Sequence, residues 1–447
     1  MYLSFIKVFN IVLLSIFLLA FALITIALIR TVLFKNNKIK VLEKTSLSSG
    51  KINEYQENIE FLFTNELFSA MESLFPTITS KCEKVNFDHG MLYKYRSNQI
   101  ETTNILVDVP IESIEPNEIK LSATSANGKN TYNSKSTLYS IFDSLETLLI
   151  KEKNLDLNIA ICVYEKKYTN NDMIVHMFEA REKFDFAIGE GGNILDPITT
   201  GYNSFYAFLG TSVNEKATIK YKTKKIGKGQ ERIEDFIKEL KNEQIFELKI
   251  APESIPTIRT ISKGMLYGNR FILNNIAWLP TLGRRIVEEE LTQLNKAWKT
   301  WMNIKEVVED ENGFSVDIDF YISNSETVND IISLLSKKTI KYSLEYEVVE
   351  KDEKSRVVST HDYYYRKLSS IIENSFQELY VMSYAINENI SDRNIDKICE
   401  SVIRFNPIYY SRDAIIGKDT DNEWVSFSSI DKAINFYEEF FLNFRRK

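Results

Sequence analysis

The sequence predicts an α/β fold: a sheet covered by helices, a second and smaller α/β unit, and one apolar helix ahead of both. Three features predict it. Apolar side chains fall at helical spacing in some segments and in short strand-like runs in others, and such alternation is the mark of strands joined by covering helices, hence of a parallel sheet. From about Asn214 the segments form a second series of strands and helices of their own. The first thirty residues carry a long uncharged apolar run. A chain of 447 residues with 44% hydrophobic content can bury a sizeable core, and its length suits about two domains.

Taken in order, Ile11–Ile29 is 19 residues without a charge. As a helix it spans about 28 Å, which matches the hydrocarbon thickness of a bilayer and predicts a single-pass transmembrane anchor. Ala20-Phe21-Ala22 resembles a signal cleavage site, but the apolar run continues past it. Lys7 precedes the span and Arg30, Lys35, Lys38 and Lys40 follow it, a charge balance that favours a cytoplasmic body. A polar linker follows, 36–51. Asn53–Phe75 places Ile59, Leu62, Phe63, Leu67, Phe68 and Met71 on one helical face. Asn104–Pro110 reads as a strand, Thr137–Ile150 as a helix and Leu155–Tyr164 as a buried strand. In the second unit, strands are expected at Ala217–Thr223, Gly313–Tyr321 and Tyr342–Val349, with helices at Glu231–Leu240, Ile286–Trp301 and Val328–Leu335. Helices at Tyr364–Leu379 and Ile430–Phe441 close the chain.

Composition removes several function classes. A net charge of -7 gives no overall basic field, so lysines such as those of Lys222–Lys228 read as solvated surface and nucleic acid is not expected as a partner. The three cysteines, Cys82, Cys162 and Cys399, have no metal-like spacing, and His89, His176 and His361 are scattered. There is no repeat and no glycine-rich phosphate loop. The 23 tyrosines and 28 phenylalanines fall mostly at core spacing. Trp298 and Trp301 suit a dimer face or a core equally.

Several fragments, in order along nearly the whole chain, resemble the zinc exopeptidase family of carboxypeptidase S, aminoacylase and succinyl-diaminopimelate desuccinylase. They are SLFPTITSKCEKVNFDHGMLYKY (73–95), FAIGEGGNILD (186–196), NGFSVDIDFYISNSETVNDIISLL (312–335), ISDRNI, IRFNPI and IDKAINFYEEFF. The resemblance implies a catalytic-type domain, with a mixed sheet between helices, interrupted by a lid domain of dimerisation type. That organisation gives an anchor (1–35), a linker (36–51), the first part of the catalytic-like domain (52–212), the lid (213–349) and its second part (350–447). It also implies an exported body, against the charge balance.

Carried over position by position, the resemblance finds the family's site dismantled. The first ligand motif falls on NILVDVPIESIEP, with Asp108 at the histidine and Pro110 at the aspartate; proline offers no side-chain donor. The bridging carboxylate falls on Asn133, with Lys135 retained beside it. The general base and its neighbouring ligand fall on Lys167 and Tyr168, and an ammonium there can neither take a proton from water nor tolerate a dication. The ligand before E-G-G falls on Gly189, and the late histidine on Asn394. The lid's G-G-H is missing around 226–230, and the tail's H-G becomes Ile416-Gly417. Glu190-Gly191-Gly192 remains and reads as a tight turn after a strand.

The expectation is thus a membrane-anchored pseudoenzyme with no catalytic residues and no metal or cofactor, where the family would use two zinc ions. A vestigial cleft would lie around Asp108, Lys135, Glu190 and Arg393. The expected partners are the bilayer, through residues 11–29, and a second copy or an active paralogue, through the lid. The competing expectation is a hydrolase of peptide or N-acyl amino acid bonds, rebuilt from Asp108, Glu165, Glu190 and a displaced histidine. A third is an unrelated membrane-tethered α/β protein, with no inserted lid.

Overall fold

The computed structural model describes residues 2–33, 47–99, 102–129, 131, 134–153, 155–168, 171–195, 205–225, 227–242, 245–291, 298–311, 313–376, 379–388, 390–410 and 423–445. The chain opens with α1 (Tyr2–Leu33), α2 (Ser49–Thr64), α3 (Leu67–Leu74) and α4 (Pro76–Lys81). Strands β1 (Glu83–Phe87), β2 (Gly90–Tyr95), β3 (Thr103–Ile111), β4 (Lys120–Leu121) and β5 (Ser125–Asn127) lead into α5 (Lys135–Ile150). Then come β6 (Leu157–Glu165), α6 (Asn171–Glu179), β7 (Phe186–Gly189), β8 (Asn193–Leu195) and β9 (Phe205–Val213). The next stretch holds β10 (Lys216–Lys224), α7 (Gly229–Asn242), α8 (Ile255–Ser262), α9 (Tyr267–Asn274), α10 (Pro280–Glu290), β11 (Trp301–Glu309), β12 (Gly313–Tyr321), α11 (Val328–Lys341) and β13 (Glu345–Asp352). The chain ends with α12 (Tyr363–Phe376), β14 (Leu379–Ile386), β15 (Val402–Arg404), β16 (Tyr409–Tyr410), β17 (Trp424–Ser426) and α13 (Phe427–Asn443).

The large sheet is mixed, not parallel throughout. Strands β6, β3, β7 and β15 form its parallel centre, in that order. The β1–β2 hairpin adds antiparallel strands on one side, and β9 turns antiparallel to β15 on the other. The centre explains the run LNIAICVYE: β6 is buried on both faces, so its residues are almost continuously apolar. One face carries Val107, Val109 and Ile161 against α5 and α13; the other carries Leu106, Ala160 and Cys162 against Met173 and Ile174 of α6.

A separate four-stranded antiparallel sheet, in the order β11-β12-β10-β13, is covered by α7 and α11 and has its own core of Ile219, Tyr221, Phe236, Ile318, Phe320 and Leu335. Helices α8, α9 and α10 lie between its strands in sequence but pack on the large core, through Ile258, Ile261, Leu273, Ile276 and Val287. Two predicted helices differ in extent. The one expected over 53–75 breaks at Asn65, whose backbone is extended, and Glu66 caps a new helix by accepting from the amides of Phe68 and Ser69. The one expected over 286–301 begins instead at Pro280, which suits a first helical position, and ends at Glu290; residues 292–297 lie outside the described ones, and Trp301 starts β11. Trp298 is buried in the large core.

The apolar N-terminus is helical, as α1, and its outward side chains include Leu14, Phe17, Leu18, Phe21 and Ile24, all more than half exposed. Among the described residues, no helix is long and apolar enough to cross a membrane. The predicted transmembrane assignment therefore gains no support from the fold.

Candidate functional site

At the carboxyl ends of β3, β6 and β7 the parallel centre of the sheet presents its polar residues, the usual place for a site in such sheets. Asp108 of β3 is buried on the α6 side and accepts a hydrogen bond from the Tyr164 hydroxyl of β6, 2.9 Å away. Burial, reinforced by Asp108, holds the Tyr164 phenol well above its ordinary pKa, so it stays protonated. The same hydroxyl lies 2.9 Å from Ser391 Oγ, and Ser391 donates to Glu190 Oε2 at 2.8 Å through its hydroxyl and at 3.2 Å through its backbone amide. Three oxygen–oxygen contacts thus link Asp108 to Glu190 through the two hydroxyls. On its other oxygen Glu190 pairs with Lys166 at 2.6 Å, and Lys166 reaches Glu112 at 3.2 Å. Burial works against the Lys166 charge, but these two carboxylates hold it above its ordinary pKa.

Beside this chain sits a wholly buried ion pair. Asp392 accepts from Arg404 Nε at 2.9 Å, and both side chains have no exposed surface. The other Asp392 oxygen accepts from the Glu190 backbone amide at 3.1 Å. It also occupies the space beside Gly189: a Cβ there would fall 2.1 Å from Asp392 Oδ2. Burial pushes the Asp392 carboxyl up while Arg404 pulls it back, and Arg404, against its own burial, is held charged by Asp392 and Asp396. Its Nη2 is 3.9 Å from Asp396, and neither Nη makes a hydrogen bond among the described residues. Gly192 follows at φ +64°, and a Cβ on it would meet the Arg404 and Phe208 carbonyls at 2.2 and 2.5 Å, so the E-G-G turn seats the backbone directly against β15 and β9.

Of the sequence-predicted residues, Asp108, Gly189 and Glu190 come together here. Pro110 follows Asp108 in β3. Lys167 turns outward, 60% exposed, to Glu165 at 3.0 Å and over the Tyr168 ring, which stacks on His89 with ring centres 3.4 Å apart. Asn394 spends its amide on Asn171 at 2.6 Å. Lys135 lies apart, fully buried under the loop that gives it the Glu115 carbonyl at 2.9 Å and Asn117 Oδ1 at 3.1 Å, and burial lowers its pKa to about 8. Arg393 points away from Glu190 to the Asn214 carbonyl at 2.9 Å and to Asp352 at 3.7 Å, where the chain enters and leaves the smaller sheet. His176 packs edge-on against Phe87, and the His361 amide donates to Ser359. Asn133, Ile226 and Ile416-Gly417 lie outside the described residues. The sequence reading did not single out Tyr164, Lys166, Ser391, Asp392 and Arg404, although ISDRNI and IRFNPI contain three of them; no local spacing marks two residues of separate fragments as an ion pair.

The described side chains do not fit a two-metal centre. No three of His, Cys, Asp or Glu among them are grouped to hold an ion. The carboxylates present are already committed to a phenol, a serine, a lysine and a guanidinium, and a guanidinium within the carboxylate cluster would repel a dication.

No family profile and no curated relative matches the sequence. Solved structures do match. The fold is similar to that of an M20 family metallo-carboxypeptidase from Sulfolobus solfataricus, at TM-score 0.59 and 11% identity, over 88% of this chain and 99% of that one. Human carnosine dipeptidase 1 matches at TM-score 0.59 and 10% identity, over 88% and 95%. The dipeptidase Dug1p of Saccharomyces cerevisiae matches at 0.57 and 9%, over 88% and 97%. The mixed sheet between helices and the separate four-stranded sheet thus belong to a fold similar to that of these solved peptidases over nearly their whole length.

Proposed function

We propose that this chain is a pseudoenzyme of the M20 fold, a binding or scaffold body held at a membrane by α1, with no zinc chemistry of its own. The observation that carries the reading is the Gly189–Asp392–Arg404 arrangement. Where the family resemblance expects a ligand side chain there is none, the vacated space is filled by a carboxylate from another loop, and the positive charge balancing that carboxylate is a guanidinium. Lys166 on Glu190 acts in the same sense, since it neutralises the one retained acidic residue of the E-G-G turn. Pairing through the smaller sheet is supported by its free edge: β13 is an edge strand that exposes Tyr346, Val348 and Val349, and such edges accept partner strands. The partner is a second copy or an active relative of the same fold.

The test is the metal content of the full chain, purified in detergent, incubated with zinc, freed of excess and read beside an active M20 enzyme, together with hydrolysis of dipeptides and N-acyl amino acids. No stoichiometric zinc and no hydrolysis are expected. Two tightly held zinc ions would overturn the reading. Metal-free hydrolysis abolished by Glu190→Gln would replace it with a rebuilt hydrolase, for which the Asp108–Tyr164–Ser391–Glu190 chain supplies a proton path.

A further inference from the structure

The amino ends of β3 and β6 lie at the opposite end of the large sheet from the candidate site, and β2 finishes beside them, with Tyr95 paired to Ile159. A cavity of about 220 Å³ opens there. Four cationic side chains line it, Lys94 and Arg96 at the end of β2 and Arg181 and Lys183 in the loop from α6 to β7, against the single carboxylate of Glu182. In a chain whose net charge is -7, that leaves a local excess of three positive charges.

Glu182 is already paired. It accepts from Lys94 Nζ at 2.6 Å, and its other oxygen lies 3.5 Å from Arg96 Nη2. Lys94 is only 5% exposed, so its ammonium is held at the cavity wall. Arg181 and Lys183 make no ion pair or side-chain hydrogen bond among the described residues. They do not cap α6 either, because backbone amides take its last carbonyls: Arg181 donates to Phe178 at 3.0 Å and Glu182 to Met177 at 2.9 Å. Arg181 holds φ +56° to do so, at a helix-ending position where glycine is the usual residue. Asn104 adds a neutral donor. Its Oδ1 accepts from Asn158 at 2.8 Å, while its own amide hydrogens have no partner among the described residues. Asp185, the acidic residue that follows the loop, accepts from the Asn104 backbone amide at 2.8 Å.

Two guanidiniums, two ammoniums and an amide thus reach one cavity from three separate stretches of chain, and they carry more charge than Glu182 cancels. Such a donor set fits a compact dianion, and the planar fork of arginine matches paired phosphate oxygens. From this geometry we infer that the cavity binds the phosphoryl group of a phosphomonoester, whether a small solute or a lipid headgroup. The inference is independent of the zinc reading, since the cavity and the E-G-G turn lie at opposite ends of the same strands.

Arg181→Gly removes the guanidinium and leaves a residue suited to the same backbone angle, so together with Lys183→Ala it strips charge from the loop and keeps the fold. Lys225→Ala with Lys228→Ala, at two exposed cations of the smaller unit, removes the same charge elsewhere. The full chain in a neutral detergent would be titrated calorimetrically at fixed ionic strength with glycerol 3-phosphate, with mixed micelles carrying phosphatidic acid, and with acetate. Saturable one-to-one binding of a phosphomonoester is expected, at least tenfold weaker in the loop variant and unchanged in the control variant; which of the two carriers binds assigns the source. Binding of neither overturns the inference. Binding that the loop variant leaves intact, or that both variants weaken alike, overturns it as well, because the charge then acts at large. Acetate bound as tightly as glycerol 3-phosphate would overturn the phosphoryl assignment.

Discussion

Arg404 and Asp392 show how a single position can decide the character of a site. Both are fully buried, and each is the other's main compensation. Removing one partner leaves a buried charge unpaired, which costs about 3–5 kcal/mol, whereas removing both charges together costs far less. Arg404→Met is therefore expected to lower the stability of the chain by an amount of that order, and Asp392→Asn added to it should restore most of the loss. Urea unfolding of the three proteins measures both; equal destabilisation of the single and double variants would show that the pair does not act as a unit. Asp143 makes a second residue-scale prediction. Burial, with Glu54 adding to it, raises its pKa to about 6, above the roughly 3.9 of an unfolded chain. The folded state then keeps this proton longer, so the stability from the group is full below about pH 4 and is lost as pH rises through 6. Asp143→Asn should flatten that decline and leave the protein more stable than wild type at pH 7, by about 1–3 kcal/mol, in denaturant titrations run from pH 4 to 7. At this scale the sequence was legible where a residue type forbids a role, as with Pro110 and Gly189. It was illegible where a role moved: nothing in the string ISDRNI says that its aspartate occupies the space beside a glycine 203 positions earlier.

Elements were legible in proportion to their periodicity. The alternation of GFSVDIDFY set β12 at 313–321, because one face of that strand packs on α7 and α11 while the other meets polar neighbours such as Lys220 and Lys305. Helices α8 and α9 went unread because each is only eight residues long, so no apolar stripe repeats for long enough to register. The break at Asn65 was hidden because apolar spacing continues in phase across it. Caps, by contrast, can be read and tested. Thr327 and Asp330 form a reciprocal capping box at the start of α11. Thr327→Ala should cost about 1 kcal/mol, seen as faster amide exchange in the first turns of α11, with the large sheet unaffected because its core is separate. Slowed or unchanged exchange in α11 would refute it.

For the whole molecule, the sequence conveyed an α/β body, and the mixed sheet bears out that coarse picture. It did not convey that helices encoded within the insertion return to the large core, because burial against a distant surface leaves no mark on local spacing. The two units are joined where β9 runs into β10 and where the chain returns after β13. These crossings are stitched to each other by Ser355 and Val213, which exchange two hydrogen bonds at 2.6 and 3.0 Å.

Arg393 adds a third stitch, and its neighbours give it a wider reach. Residues 391, 392 and 393 are consecutive, yet the first holds Glu190, the second holds Arg404 and the third holds the Asn214 carbonyl at the crossing. One short loop thus ties the Glu190 turn, the buried ion pair and the crossing between the two units to one another, so that a displacement at Arg393 would bear on Glu190 and Arg404 through adjacent residues.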